Sequence, residues 1–320
     1  MRLPKFRKRR KSVFFLIKTK YIYYLRIYGD SKYMYNNYFL NKVILVTGGG
    51  SGIGRGLCTK LAGAGAIVIC TDIDANKAAE TATLVSGTQT AISTGRLDVT
   101  DSAAFETLIA GIVTQHGSID LIFNNAGIAI SGEMRDIEIA DWKKIIDINF
   151  LGVLYGSQTA YRYMLQQGSG QIVNIASAAG LFDYLALMAP YSVTKHAVVN
   201  YTKLLRFEAK TLGIKANLVC PGFISTSIGE NAIAPNANQS WTDNAINEVA
   251  RGISVDKAVE HILKGVAANK EVIIFPLQAK IIYLFTRLFP GIYKIGIQKL
   301  VNGYRKKYRL EPGKSVKSES

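Results

Sequence analysis

Lys42-Val-Ile-Leu-Val-Thr-Gly-Gly-Gly-Ser-Gly-Ile-Gly54 is the stretch of this 320-residue chain that says most about its architecture. Its first half is a short β-branched run, typical of a buried parallel strand. The glycines follow directly, and a helical pattern continues through Leu61. A glycine run alone is equally typical of a flexible loop. Between a strand and a helix it favours a pyrophosphate cradle, because backbone N–H groups and the helix dipole then face the phosphates. The predicted cradle consists of Gly48, Ser51, Gly52, Ile53 and Gly54.

A second predicted strand, 66–71, ends at Asp72, about twenty residues after the glycine turn. A carboxylate at this strand tip is suited to bind the adenosine ribose hydroxyls, and it repels a 2′-phosphate. Ser51, rather than a basic residue, precedes Gly52. Both features predict NAD in preference to NADP. Asp74 is an alternative partner for the ribose, although its other expected role is to cap the next helix.

Strand and helix patterns alternate along the rest of the chain. Helices are predicted near 75–85, 101–116, 142–164 and 191–212, and further strands near 91–98, 119–123, 171–175, 216–220 and 271–275. This alternation predicts an α/β fold with a doubly wound parallel sheet, a Rossmann fold, in a single domain over 34–275. Ligands of such sheets bind at the carboxyl ends of the strands.

Tyr191-Ser-Val-Thr-Lys195 contains a pair that could perform acid–base chemistry. Residues at this spacing lie one above the other on a helix face. An ammonium beside a phenol would lower the tyrosine pKa from about 10 toward working pH. The result would be a proton donor and acceptor for interconverting a carbonyl and an alcohol. An ordinary helix face is the alternative interpretation.

Taken together, these motifs resemble the classical short-chain dehydrogenase/reductase family over about 42–275. The resemblance rests on motifs in the family's order, namely Thr47-Gly-x-x-x-Gly-Ile-Gly54, Asp98, Asn124-Asn-Ala-Gly127, Asn149, Ser177, Tyr191-x-x-x-Lys195 and Pro221-Gly222. It implies an NAD(P)-dependent oxidoreductase that transfers a hydride between the nicotinamide and a secondary alcohol or ketone. It also implies a homodimer or homotetramer, with the helices of Asn149 and Tyr191 at the subunit contact.

The resemblance implies roles for four catalytic residues. Tyr191 would be the general acid in reduction and the base in oxidation. Lys195 would lower the tyrosine pKa and hydrogen-bond the nicotinamide ribose. Ser177 would hold the substrate oxygen, and its alternative is a turn serine. Asn149 would anchor a water relay from Lys195 to solvent, and its alternative is a polar residue on a packed helix.

The resemblance also implies cofactor contacts beyond the glycine turn. Asp98 would meet the adenine amino group with Val99 packing nearby, and Asn125 would lie beside the adenosine ribose. The Ile224 backbone and the Thr226 hydroxyl would hold the carboxamide, with Ser225 and Ser227 as neighbours that could replace them. The predicted substrate loop is 223–252. Five residues would line an apolar pocket or belong to the core: Phe182, Tyr184, Leu185, Met188 and Trp241.

Two other functions fit the same fold. One is an NADP-dependent carbonyl reductase of the same family. The other is a nucleotide-binding regulatory protein without catalysis, since a fold does not determine a function. The intact set of Ser177, Tyr191 and Lys195 argues against the second, because a sensor has no need of all three.

The formal net charge of +16 is concentrated at the two ends of the chain. Residues 1–33 carry +10 and residues 280–320 carry +8, whereas the central 34–279 carries −2. Nucleic-acid binding by the central domain is therefore not expected. The cysteines, Cys58, Cys70 and Cys220, lie in apolar context and fit buried thiols in a reducing, cytoplasmic compartment. No histidines stand at metal-ligand spacing, so no metal site is predicted.

Neither end of the chain contains an uninterrupted apolar run of membrane-spanning length. Residues 1–33 are interpreted as an extension outside the fold, ending before Met34, with a membrane-surface segment as the alternative. Residues 276–310 are apolar and basic. They predict peripheral membrane contact, with a helix packed on the fold or at a subunit interface as the alternative. The tail, 311–320, is expected to be disordered.

Overall fold

The computed structural model describes residues 36–85, 92–225 and 252–308, with the side chains of residues 307 and 308 left out. Within this part of the chain a parallel sheet has strands in the order β3-β2-β1-β4-β5-β6-β7. The strands are β1 Val43–Thr47, β2 Ile67–Asp72, β3 Ile92–Arg96, β4 Leu121–Asn124, β5 Gly170–Ile175, β6 Ile214–Pro221 and β7 Val272–Phe275. The predicted doubly wound α/β sheet is confirmed, and its strand order reverses between β1 and β4.

Helices connect the strands and cover both faces of the sheet. They are α1 Gly52–Gly63, α2 Ala75–Thr83, α3 Ser102–His116, α4 Ile139–Ile146, α5 Gly152–Gln167, α6 Ala189–Ala209, α7 Val255–Ala267, α8 Leu277–Leu288 and α9 Pro290–Tyr308. Helices α1, α2 and α7 contribute to the core on one face, and α3, α5 and α6 to the core on the other. Successive residues of a strand point to opposite faces. Accordingly, Ile44 and Val46 of β1 join the first core, whereas Val43 and Leu45 join the second.

The predicted helix over 142–164 was wrong in its detail. Helix α4 begins earlier, and a π-helical turn, Asp147–Leu151, separates it from α5. The predicted helix over 191–212 begins two residues earlier, at Ala189, and continues as a short 3₁₀ turn, Lys210–Leu212. Such single π turns inside helices are frequent at functional sites. This one carries Asn149.

The C-terminal segment forms two helices, α8 and α9. A helix packed on the fold or at a subunit interface was the alternative to the predicted membrane contact. No helix among the described residues is long and apolar enough to cross a membrane. The predictions for residues 1–33 and for the tail 311–320 lie outside the described residues. Most of the predicted substrate loop also lies outside them, including Thr226, Ser227 and Trp241.

Candidate active site

The glycine turn links β1 to α1 next to the point where the strand order reverses. Gly48 has a φ of +64°, in the left-handed region that glycine adopts without strain. A Cβ on Gly54 would overlap the carbonyl of Gly48. The turn is therefore too tight for side chains at these two positions. The first N–H groups of a helix have no partner within that helix, so the turn presents donors to an anion.

Asp72 is placed against the glycine turn, as expected for the tip of β2. Its Oδ2 accepts a hydrogen bond from the Gly50 N–H at 2.9 Å, and its Oδ1 accepts from the Asp74 N–H at 3.1 Å. The Asp74 side chain instead caps α2, where it accepts from Asn76 N–H at 3.0 Å and Lys77 N–H at 3.4 Å. The geometry therefore separates the two acids: Asp74 is engaged in capping, and Asp72 is the one that borders the cradle.

Thr47 joins the glycine turn to the loop after β4, a role that the sequence analysis missed. Its hydroxyl accepts hydrogen bonds from the N–H groups of Asn125 at 3.0 Å and Ala126 at 3.1 Å. The Asn125 side chain in turn donates to the carbonyls of Thr47 at 2.9 Å and Gly48 at 3.1 Å. These bonds hold the ends of β1 and β4 together. Asn125 therefore lies against the predicted cradle.

Two thiols lie beneath the glycine turn. A Cβ on Gly49 would stand 3.1 Å from the Cys58 sulfur and would collide with the Cys70 sulfur. Both cysteines are fully buried. A hydrogen bond between them raises the pKa of Cys58 and lowers that of Cys70, because the bond favours the thiolate of the accepting sulfur. The cysteines among the described residues are free thiols.

Ser177 and Tyr191 are brought together by the packing of α6 on the turn that follows β5. Ser177 begins the 3₁₀ turn Ala178–Gly180, and its hydroxyl accepts from the Ala179 N–H at 3.1 Å. The Ser192 hydroxyl donates to the Ala179 carbonyl at 3.0 Å, which fixes the first turn of α6 against this segment. The Ser177 hydroxyl lies close enough to the Tyr191 phenol to favour a lower pKa of that phenol. Ser177 is thus both a turn serine and a neighbour of the phenol.

Lys195 is buried on the same helix face, with 3% of its surface exposed. Its Nζ lies 5.7 Å from the centre of the Tyr191 ring and donates to the Ile175 carbonyl at 3.1 Å. The predicted placement of Tyr191 and Lys195 on one helix face is therefore correct. The ammonium is tied to the end of β5, two residues before Ser177.

The surrounding protein does not lower the pKa of Tyr191, contrary to the expectation from the sequence. Burial raises the pKa of Tyr191, and the Ser177 hydroxyl opposes this by a smaller amount. Burial also lowers the pKa of Lys195 to about 8. Desolvation disfavours the charged forms of both residues and is the largest influence on each pKa. The neighbouring thiol of Cys220 stays uncharged, because burial raises its pKa to about 12.

Asn149, on the π-helical turn, forms two hydrogen bonds with the loop after β4. Its Oδ1 accepts from the Ile128 N–H at 2.8 Å, and its Nδ2 donates to the Ile128 carbonyl at 2.9 Å. Nδ2 also lies 3.3 Å from the hydroxyl of Thr194, which neighbours Lys195 in the chain. A Cβ on Gly127 would stand 3.1 Å from Asn149 Oδ1 and 3.5 Å from Lys195 Nζ. Asn149 and Lys195 therefore border the same small space.

The other predicted cofactor residues lie at strand ends. The Asp98 carboxylate accepts from the Thr100 hydroxyl at 2.7 Å and the Thr100 N–H at 3.0 Å, and these bonds lower its pKa. Val99 is buried against α5, where a Cβ on Gly152 would meet it. Ile224 is buried and forms an isolated bridge with Ile253. Of the expected carboxamide-binding pair, Ile224 is placed beyond β6, and Thr226 lies outside the described residues.

Two of the five residues expected to line a pocket or belong to the core pack in a core. Phe182 and Leu185 pack in a cluster with Ala178, and the Phe182 ring lies 6.4 Å from the ring of Tyr293 in α9. Tyr184 is also held by α9, because its carbonyl accepts from the Tyr293 hydroxyl at 2.7 Å. The wall beside the site is therefore completed by the C-terminal helices, which the sequence analysis did not connect with it.

Two features together narrow the class of protein to the NAD(P)-dependent dehydrogenases and reductases: a glycine turn beside the reversal of strand order, and a tyrosine–lysine–serine cluster at the ends of neighbouring elements. A family model described as short chain dehydrogenase matches residues 42–237. The chain belongs to this family. Membership makes it an oxidoreductase with a Rossmann nucleotide-binding fold that uses a nicotinamide cofactor.

Curated relatives and solved structures agree with this assignment. Levodione reductase from Leifsonia aquatica is 34% identical over 200 residues, covering 61% of this chain and 74% of that protein. 2-(S)-hydroxypropyl-CoM dehydrogenase 3 from Xanthobacter autotrophicus is 35% identical over 205 residues, covering 63% and 80%. A short-chain dehydrogenase/reductase from Burkholderia phymatum, crystallised with NAD, superposes with a TM-score of 0.74 and 26% identity, covering 80% of this chain and 96% of that chain.

Proposed function

We propose that this chain is an NAD-preferring oxidoreductase that interconverts a lipophilic secondary alcohol and its ketone, with Tyr191 as the general acid and base. The observation that carries the proposal is the assembly of Ser177, Tyr191 and Lys195 in a chain that also has the tight glycine turn after β1. The relatives are named as a reductase and a dehydrogenase, which supports carbonyl–alcohol chemistry in either direction.

The proposed mechanism assigns one task to each side chain. The Ser177 hydroxyl hydrogen-bonds the substrate oxygen and holds it beside the phenol. Tyr191 gives its proton to that oxygen in reduction and takes it back in oxidation. Lys195, with a pKa of about 8, exchanges a proton with solvent through the space that it shares with Asn149. A bound nicotinamide would supply or accept the hydride, and its oxidised ring carries a positive charge that favours a nearby phenolate.

The proposed cofactor contacts follow the tight turn at Gly48 and Gly54. The turn and Ser51, Gly52 and Ile53 at the start of α1 would hold the pyrophosphate. Asp98 and Val99 would border the adenine, Asn125 the adenosine ribose, and Ile224 and Thr226 the carboxamide. The free, buried thiols Cys58, Cys70 and Cys220 support a reducing, cytoplasmic setting.

Replacing Tyr191 by Phe removes the transferable proton and keeps the ring. We expect Tyr191→Phe to lose turnover by at least about 10²–10⁴-fold, as for other general acids, while cofactor binding is retained. The measurement is cofactor oxidation and reduction over a panel of alcohols and ketones, with cofactor affinity followed by fluorescence titration. Tyr201→Phe, the same change on the same helix, is the matched control and should stay active. Near-normal turnover by Tyr191→Phe contradicts the proposal.

The panel also separates the proposed enzyme from a regulatory protein. A chain that binds the dinucleotide tightly but turns over no substrate in the panel would favour the nucleotide-binding regulatory function. The same panel run with NADPH addresses the carbonyl-reductase alternative.

The preference for NAD is proposed on the position of Asp72, whose carboxylate faces Gly50 of the turn. Arg96 is the register partner of Asp72 on β3, so a cation also stands at this edge of the sheet and favours the NADP alternative. We expect wild type to bind NAD more tightly than NADP. Asp72→Ala should weaken NAD binding and so reduce the difference between the two affinities. Asp74→Ala, which removes only the helix cap, is the control and should leave the ratio unchanged. Tighter binding of NADP by wild type refutes this choice.

A further inference from the structure

Helix α8 turns its more apolar side away from the protein. Ala279, Tyr283 and Thr286 form the side that packs inward. The opposite side carries large apolar residues one turn apart, with exposures of 68% for Leu277, 57% for Ile281, 58% for Leu284 and 69% for Leu288. A helix on a water-facing surface has the reverse distribution. This outward apolar stripe needs a partner that is not water.

The stripe continues beyond the end of α8 and is bordered by cations. Phe289, Ile292 and Ile295 are exposed at the junction with α9. Lys280 and Arg287 lie along one edge of the stripe, two turns apart. From 277 to 308 the sequence contains seven Lys and Arg residues and no Asp or Glu. An apolar helix face with flanking lysines and arginines is the pattern of interfacial helices, whose cationic heads reach the lipid headgroups.

The two C-terminal helices are attached to the segments that form the active site. A Cβ on Gly222, directly after β6, would lie 3.1 Å from the Ala279 side chain of α8. In α9, the Tyr293 hydroxyl donates to the Tyr184 carbonyl. Arg305 of the same helix donates to the Glu133 carboxylate at 3.1 Å. Glu133 lies in the loop after β4, five residues beyond Ile128, which Asn149 binds. A surface that binds the outer side of α8 is therefore linked to the wall of the site through these contacts.

We propose that the outward stripe of α8, extended by Phe289, Ile292 and Ile295, docks this protein on the surface of a bilayer that contains anionic lipids. Charge decides between the candidate partners. A second copy meeting the same surface would bring two sets of cations together, whereas anionic headgroups neutralise them. Docking through α8 would bring the wall of the site, which α8 and α9 contact, close to the lipid surface. That consequence for substrate access rests on the proposed function, while the docking itself does not.

The test uses the full chain and sedimenting vesicles of two compositions, phosphatidylcholine alone and phosphatidylcholine with phosphatidylserine. We expect binding to the anionic vesicles that weakens as salt is raised. The double variant Ile281→Glu with Leu284→Glu should reduce the partition coefficient at least tenfold. Both side chains point outward, so its melting temperature and its activity on a water-soluble alcohol should match those of wild type. Leu84→Glu, at an exposed leucine directly after α2, is the control and should bind as wild type does.

Two outcomes overturn the proposal. Unchanged vesicle binding by the double variant places the lipid contact elsewhere in the chain. A change in oligomeric mass, without vesicle binding by wild type, identifies the stripe as a subunit interface. Two results would separate docking from catalysis. An inactive Tyr191 variant that still binds vesicles would show that docking does not need activity. A fully active double variant that no longer binds vesicles would show that activity does not need docking.

Discussion

At the scale of one residue, the burial of Lys195 carries a cost in stability. Its side chain is 3% exposed, and burial lowers its pKa from 10.5 to about 8. Between pH 8 and 10.5 the unfolded chain therefore binds more protons at this position than the folded chain does. Stability rises with pH where the unfolded state binds more protons. The residue thus destabilises the fold below pH 8, and the penalty disappears as pH rises through this window.

Removing the charge should reverse that penalty. We expect Lys195→Met to be inactive but more stable than wild type at pH 7, by roughly 3 kcal/mol at most, reduced by loss of the hydrogen bond to Ile175. The gain should shrink between pH 8 and 10. Urea unfolding across this range measures it, and Lys203→Met, partly exposed on the same helix, is the control. A variant less stable than wild type at every pH would show that the ammonium stabilises the fold.

Among single residues, those at strand ends could be predicted and those that act through a distant partner could not. Asp72 ends one strand and Ser177 follows another, and the apolar runs of both strands are visible in the sequence. The Thr47 hydroxyl is bound by Asn125, which lies in the loop after β4. The Thr194 hydroxyl is bound by Asn149, which lies in the π turn. No periodicity reports such pairs. The pKa of Tyr191 was misjudged for a related reason, because a sequence reveals the neighbouring charge but not the desolvation.

At the scale of elements, the alternation of β-branched runs and helical patterns was sufficient to predict the parallel sheet. The π turn at Asp147–Leu151 was not predictable, because one extra residue hardly disturbs a pattern that already tolerates variation. The C-terminal helices show a different limit. Their apolar content was evident, but both sides of α8 contain large apolar residues, such as Tyr283 inward and Ile281 outward. Packing alone decides which side is covered.

Whole-molecule assembly is suggested by a second apolar stripe, on α6. Val193, Leu204 and Phe207 lie on one face of this helix and are exposed, Phe207 to 81%. The family resemblance places the same helix at a subunit contact. In a two-fold interface every substitution occurs twice, so a carboxylate introduced there would face its own copy.

We expect wild type to be a dimer or tetramer, and Phe207→Glu to shift it at least one step toward the monomer. Light scattering coupled to size exclusion measures the mass. Leu84→Glu, which adds the same charge to a different surface, should leave the mass unchanged. A wild-type monomer, or a Phe207→Glu protein with the mass of wild type, would refute this interface.

The thiols beneath Gly49 give the molecule an internal kinetic probe. Cys58 and Cys70 have no exposed surface, and the glycine turn closes the space above them. A small alkylating reagent can reach either sulfur only during a local opening of that turn, as a buried amide exchanges only during an opening of its helix. The alkylation rate of these two thiols therefore measures how often the glycine turn opens. A dinucleotide that holds the turn closed would make these openings less frequent and slow the alkylation of both thiols. The alkylation rate therefore reports cofactor binding without any substrate.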